Sequence, residues 1–130
     1  MYGAKIASIK KKIKHRTKMK VNDIVKELDL TIFCGEAGLE KEVTGGYSSD
    51  LLSDVMGNAE EGHVWITLQI HKNIMAVAML KEISAIILVK GLIPEDDVKE
   101  ISNEKQIPVL GTSLDAFSLA GKIYSYLIEN

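Results

Sequence analysis

The chain has 130 residues, 46% hydrophobic and 26% charged, with two prolines and one cysteine. That length holds one domain, and the composition excludes a disordered or fibrous protein. The longest apolar run, residues 83–89, is interrupted by Ser84 and falls far short of the roughly 20 residues of a membrane-spanning helix. Cys34 stands alone, which excludes an internal disulfide and a cysteine-based zinc site; a soluble domain of the cytoplasm is expected.

The formal net charge of −2 conceals two unlike parts. Residues 1–20 hold seven lysines and Arg16 without an acid, +8, whereas the remainder holds 8 basic and 18 acidic side chains, −10. Residues 1–18 read as a basic N-terminal extension and residues 19–130 as the domain. Ile6, Ile9 and Ile13 recur at helical spacing among Lys5, Lys10, Lys11, Lys12 and Lys14, the pattern of a basic amphipathic helix for an anionic membrane or nucleic acid. The alternative is an extension with no role in the fold, Met19 being the functional start. No apolar stretch of about 7 residues is present for a signal peptide.

Along the body, Val21, Ile24, Val25 and Leu28 share one helical face, predicting a helix over residues 21–29 capped by Asn22 or Asp23. Residues 30–34 form a β-prone run closed by Gly35 and Gly38, and residues 42–47 a second extended segment. Ser48, Ser49 and Asp50 offer caps to a short helix from Leu51 that ends at Gly57. Beyond Gly62 the pattern becomes regular: strand 63–68 with Trp65, helix 72–82, strand 85–89, helix 94–104 opened by Pro94, strand 108–110 and helix 113–128. Strands joined through helices need crossover connections. The predicted class is therefore α/β, a mainly parallel sheet with βαβ crossovers and flanking helices; near-continuous apolar strands agree, since parallel strands are covered on both faces.

The search for chemistry is mostly negative. No Walker loop exists, because the only Gly-Lys pair, Gly121-Lys122, lies in the last helix and continues with isoleucine. Gly35-Glu36-Ala37-Gly38 lacks dinucleotide-fingerprint spacing and opens no helix, and no G-x-S-x-G elbow occurs. His63 and His71 lack metal-ligand spacing; Cys34, beside Phe33, reads as a small core residue. No catalytic residue, metal or cofactor is expected.

What remains is a set of polar loops. In open α/β sheets ligands sit beyond the carboxyl ends of the strands, where helix N-termini present backbone donors. The turns predicted there carry Gln69, His71, Lys72 and Asn73; Lys90 and Gly91; and Thr112 and Ser113. A fourth carries Gly45 and Gly46, which allow close backbone approach, and the hydroxyls of Ser48 and Ser49. An anion such as a nucleotide phosphate suits this set; ordinary caps and turns are the competing account.

The run Val64-Trp65-Ile66-Thr67-Leu68-Gln69 through Ala76-Val77-Ala78-Met79-Leu80, then Ala85-Ile86-Ile87-Leu88-Val89-Lys90-Gly91-Leu92-Ile93-Pro94 and Gln106-Ile107-Pro108-Val109-Leu110, resembles the DRTGG domain family. Gly45-Gly46-Tyr47-Ser48-Ser49-Asp50-Leu51-Leu52-Ser53-Asp54-Val55-Met56 fits its first half. The resemblance covers about residues 19–129 and rests on pattern and order. It implies a regulatory or assembly module, found alone or as an accessory part of phosphotransacetylases and CBS-containing pyrophosphatases, and similar in fold to the N-terminal domain of HPr kinase/phosphatase. Gln69-Ile70-His71-Lys72-Asn73-Ile74 looks like the stand-alone forms of anaerobic bacteria, often encoded near iron hydrogenase genes. The family's Asp-Arg falls at Ile70-His71 and its Thr-Gly-Gly at Val89-Lys90-Gly91, so one glycine is kept and His71 or Lys72 would stand in for the arginine.

Two functions compete: a non-catalytic, dimerising regulatory domain with an enzyme or regulatory protein as partner, or an enzyme or ligand-sensing subunit of one. A missing acid/base or nucleophile constellation favours the first, and nucleic acid is not an expected partner of the body. On a helical wheel of residues 72–82, Ala76, Met79, Leu80 and Ile83 suit the sheet and Ile74, Val77 and Ala78 lie opposite. A helix apolar on both sides needs two covers, and a homodimer through Ile74, Val77 and Ala78 is the expected second one; cover by helix 21–29 or 113–128 is the alternative.

Overall fold

The computed structural model describes residues 18–129, and both readings of the basic extension fall on residues outside them apart from Lys18. In chain order the elements are β1 (Met19–Lys20), α1 (Val21–Leu28), β2 (Thr31–Cys34), a 3-10 turn (Glu36–Gly38), β3 (Glu42–Val43), β4 (Gly45–Ser48), α2 (Leu52–Asn58), β5 (His63–Thr67), α3 (Asn73–Leu80), β6 (Ala85–Leu88), α4 (Asp96–Lys105), β7 (Val109–Gly111) and α5 (Ala116–Glu129). Five strands form one sheet in the order β2-β7-β6-β5-β4, and β1 pairs with β3 in a separate ribbon. Strands β4 to β7 run parallel, with β2 antiparallel to β7 at the edge.

Alternation along the strands divides the core into two layers. Val64, Ile66, Ala85, Ile87 and Leu110 face α1 and α5, against Val21, Ile24, Leu119, Ile123 and Leu127. Trp65, Ile86, Leu88 and Val109 face the other way, against Val55 of α2, Ile74, Met75, Val77 and Ala78 of α3, and Val98 of α4. Both faces of β5 and β6 are thus covered, which is why every residue of β6 is buried and why the strands read as apolar runs rather than as alternating ones.

Four local expectations are corrected. Residues 42–47 are not one extended segment: Val43 pairs with Met19 while Gly45 begins the main sheet against His63, and Thr44 at the break donates its N–H to the Gly62 carbonyl (2.9 Å). Asp23 does not precede α1 but lies in its first turn, accepting the Lys20 N–H (2.9 Å), a reach-back contact of the capping-box kind. α2 runs through Gly57 to Asn58, whose amide donates to the Asp54 carbonyl (3.0 Å) and carries the helix past the expected stop.

The fourth correction concerns α3. Ile74, Val77 and Ala78, expected to face a partner copy, are buried within the chain, and Ala76, Met79 and Leu80, expected to face the sheet, are exposed. The wheel carries two apolar faces and no polar one, so sequence had no means of choosing between them. The cover comes from α2 and α4, packed on either side of α3, and not from α1 or α5, which lie beyond the sheet.

Candidate ligand site at the strand ends

Because β4, β5, β6 and β7 are parallel, the loops that leave their carboxyl ends collect along one edge of the sheet. Ser48 and Ser49 leave β4; Gln69, His71, Lys72 and Asn73 follow β5; Lys90 and Gly91 follow β6; Thr112 and Ser113 follow β7. Gly45 and Gly46 do not join them, since they start β4 at the opposite edge, where Gly45 pairs with His63 and Gly46 with Val64. Their lack of a side chain is accounted for by packing: a Cβ on Gly45 would stand 3.2 Å from the His63 ring and one on Gly46 3.3 Å from Val64 Cγ2.

Asp50 organises the first two loops. Its Oδ1 accepts from the Thr67 hydroxyl (2.9 Å) and the Leu68 N–H (2.7 Å), while the Gln69 amide donates to its carbonyl (2.8 Å). Trp65 Nε1 donates to the Ser49 carbonyl (2.9 Å). Gln69 is therefore a latch between loops, and Asp50, expected only as a cap, is the residue that holds the edge together. An Asx side chain before a helix is read from sequence as an N-cap; its recruitment by β5 needed the parallel register to be known.

The expected topological opening lies between β6 and β7, because the β6 connection runs to α4 on one face and the β7 connection to α5 on the other. Backbone hydrogen bonds close it. Lys90 N–H donates to the Leu114 carbonyl (2.8 Å) and Gly91 N–H to that of Thr112 (2.9 Å), and the Thr112 hydroxyl accepts from Leu114 N–H (3.2 Å). To make these contacts Lys90 adopts φ 60°, followed by Gly91 at 72°. The other left-handed non-glycine residues, Asp29, Glu82 and Gln106, sit just after helices α1, α3 and α4, a usual place for that conformation; Lys90 follows a strand. Cavities of about 620 and 630 Å³ lie elsewhere, one at the amino-terminal edge beside Glu42 and Glu61, one between α1 and α5.

Its charges are sorted by pairing. His71 Nδ1 lies 2.8 Å from Glu95 Oε1, so that carboxylate already holds the imidazole. Asp115 accepts the Ser118 N–H (2.8 Å) at the start of α5, and that bond, with a weaker pull from Lys90, holds its carboxyl below the usual range. Asp54, in the first turn of α2, is likewise lowered by hydrogen bonds from the Ser49 and Tyr47 hydroxyls. The first turn of α4 carries Asp96 and Asp97, and that of α3 carries no acid. Lys72 and Lys90, both exposed, have no carboxylate within 4.0 Å among the described residues. A further anion would thus meet occupied helix ends at α2, α4 and α5, and the ammonium groups of Lys72, at the start of α3, and of Lys90, after β6, neither of them in a close ion pair.

The depressed carboxyls give a pH expectation. A carboxylate whose folded-state pKa lies below its unfolded value contributes stability above the unfolded value and loses it as pH falls through the folded one. Below about pH 4 the starts of α2 and α5 should therefore loosen before the sheet does. Amide chemical shifts followed through an acid titration check this, and Asp54→Asn together with Asp115→Asn should remove that early step.

An α/β domain with one-sided crossovers and polar strand-end loops is the class this geometry defines. The DRTGG domain profile matches residues 23–126, and the chain belongs to that family. A crystal structure of the CBS and DRTGG domains of the regulatory region of Clostridium perfringens pyrophosphatase, complexed with the activator diadenosine tetraphosphate, is similar in fold, with a TM-score of 0.64 at 17% identity over 84% of this chain. This chain spans 47% of that one. No curated protein matches significantly, and no helix among the described residues is long and apolar enough to cross a membrane.

Proposed function

We propose that the chain is a non-catalytic regulatory domain that binds an anionic small molecule, a nucleotide polyphosphate in the first instance, on the strand-end surface. The observation that carries this reading is the placing of uncommitted Lys72 and Lys90 on one edge, the latter in a backbone conformation that costs energy and is held by the β7–α5 loop. The comparison adds support at the level of class, since the related fold belongs to a regulatory region complexed with a nucleotide activator. Lys72 and Lys90 supply cationic contacts, with His71, Asn73, Thr112 and Ser113 as hydrogen-bonding neighbours. Ser48, Ser49, Gln69 and Gly91 shape the floor.

The reading includes self-association, and a setting in energy metabolism close to hydrogenase, the latter resting on the resemblance of residues 69–74 to the stand-alone forms. The rival reading, an enzyme or a ligand-sensing subunit of one, would rest on the exposed His71–Glu95 pair as its acid/base group.

A thermal-shift screen of nucleotides, diadenosine tetraphosphate included, tests the proposal, because a ligand of the native state raises its stability. A ligand-induced rise is expected in the wild-type chain and its loss in Lys72→Glu, with the free variant as stable as the wild type because an acid at a helix N-terminus is favourable. Unchanged binding by Lys72→Glu would move the ligand away from this edge.

A further inference from the structure

Phe117 is 90% exposed and Tyr124 54% exposed on the outer side of α5, while Leu119, Ile123 and Leu127 on its inner side are buried. Between the two aromatics lies Gly121, exposed and in the interior of a 14-residue helix. A glycine there is less favourable than alanine, and packing within the chain does not call for it, because a Cβ at this position would have no atom within 4 Å. Glycine in a helix face permits another backbone to come close. Phe117, Gly121, Tyr124 and the half-buried Ile128 recur at intervals of four, three and four, the spacing of a seam between two helices.

We infer that α5 is the self-association surface, pairing with α5 of a second copy across a two-fold axis at Gly121. This deepens the self-association included in the regulatory reading and replaces α3 as its seat. A second copy is the occupant because the stripe is self-complementary: an aromatic stands on either side of the glycine, so an antiparallel copy turned about Gly121 sets Phe117 near the partner's Tyr124 and Tyr124 near the partner's Phe117. The groove of about 630 Å³ beside the stripe, between Leu28 of α1 and Ser125 of α5, receives the flank of the other helix.

Taking roughly 200 Å² for an exposed aromatic, the two rings leave about 300 Å² in water per copy, so the pair removes about 600 Å². Specific interfaces begin near a total of about 1,200 Å², so the flanks of α1 and α5 along the groove must supply the other half, and a weak, reversible dimer is the one expected.

Sedimentation velocity on the full chain from about 1 to 500 µM, the range suited to such weak pairing, reads the monomer–dimer equilibrium. Dimerisation is expected, weakened at least about tenfold by Phe117→Ser and unchanged by Leu80→Ser on α3. Mild oxidation of Gly121→Cys should give a covalent dimer and of Gly57→Cys none, since Cys34 is buried and position 121 alone lies on the axis. A wild-type monomer throughout the range, a dimer indifferent to Phe117→Ser, or one weakened equally by Leu80→Ser overturns the inference. Nucleotide-induced thermal shifts measured on the same variants report on the ligand reading separately, because Phe117→Ser leaves Lys72 and Lys90 in place.

Discussion

Trp65→Ala is expected to lower the melting temperature by roughly 10–20 °C, the largest effect of any single substitution considered. Trp65 is fully buried on β5 between the sheet and the α2–α3–α4 layer. Truncating a buried aromatic costs about 3–5 kcal/mol, and a domain of this size loses about 3–4 °C per kcal/mol. Its indole N–H also fastens the Ser49 carbonyl, so Trp65→Phe, which keeps most of the volume, should still cost about 1–2 kcal/mol through the unpaired acceptor. Thermal unfolding followed by circular dichroism measures both. A fall of less than about 5 °C for Trp65→Ala would mean that the layer can collapse into the space left behind. The chain has no other tryptophan, so the buried indole also reports global unfolding by fluorescence.

Lys90→Gly should act in opposite directions on stability and on binding. A left-handed conformation is unfavourable for any residue with a Cβ by about 1–2 kcal/mol, partly offset here by the extra freedom that glycine gives the unfolded chain. The free variant is expected to gain about 0.5–1 kcal/mol, or about 2–4 °C, while its nucleotide-induced thermal shift falls to near zero because one of the two uncommitted cations is gone. Lys90→Ala provides the control, losing the charge while keeping the strain, so its binding should fail without the gain. If Lys90→Gly is stabilised and still binds as tightly as wild type, the lysine has no part in recognition and the ligand contacts must lie around Lys72.

The α/β class, the alternation of strands and helices from Trp65 onward and the two crossovers that join β5 to β6 and β6 to β7 were legible in sequence, because apolar runs bounded by glycine, proline and capping residues are local signals. The DRTGG resemblance was legible for the same reason, as an order of such runs. The grouping of Lys72, Lys90, Thr112 and Ser113 also followed once the strands were taken as parallel, since parallel strands send their carboxyl ends to one edge. Tertiary structure decided the rest. Gly45 and Gly46 share a loop-like composition with the site but belong to the other edge, a difference set by the register of β4 against β5. Asp50 looked like a helix cap and became the clasp of β5, because Thr67 and Leu68 are brought to it from 17 and 18 residues away. Ile74, Val77 and Ala78 face inward rather than outward, for a helix apolar on all sides takes its orientation from the neighbours that pack on it, and those neighbours are fixed only when the sheet has folded.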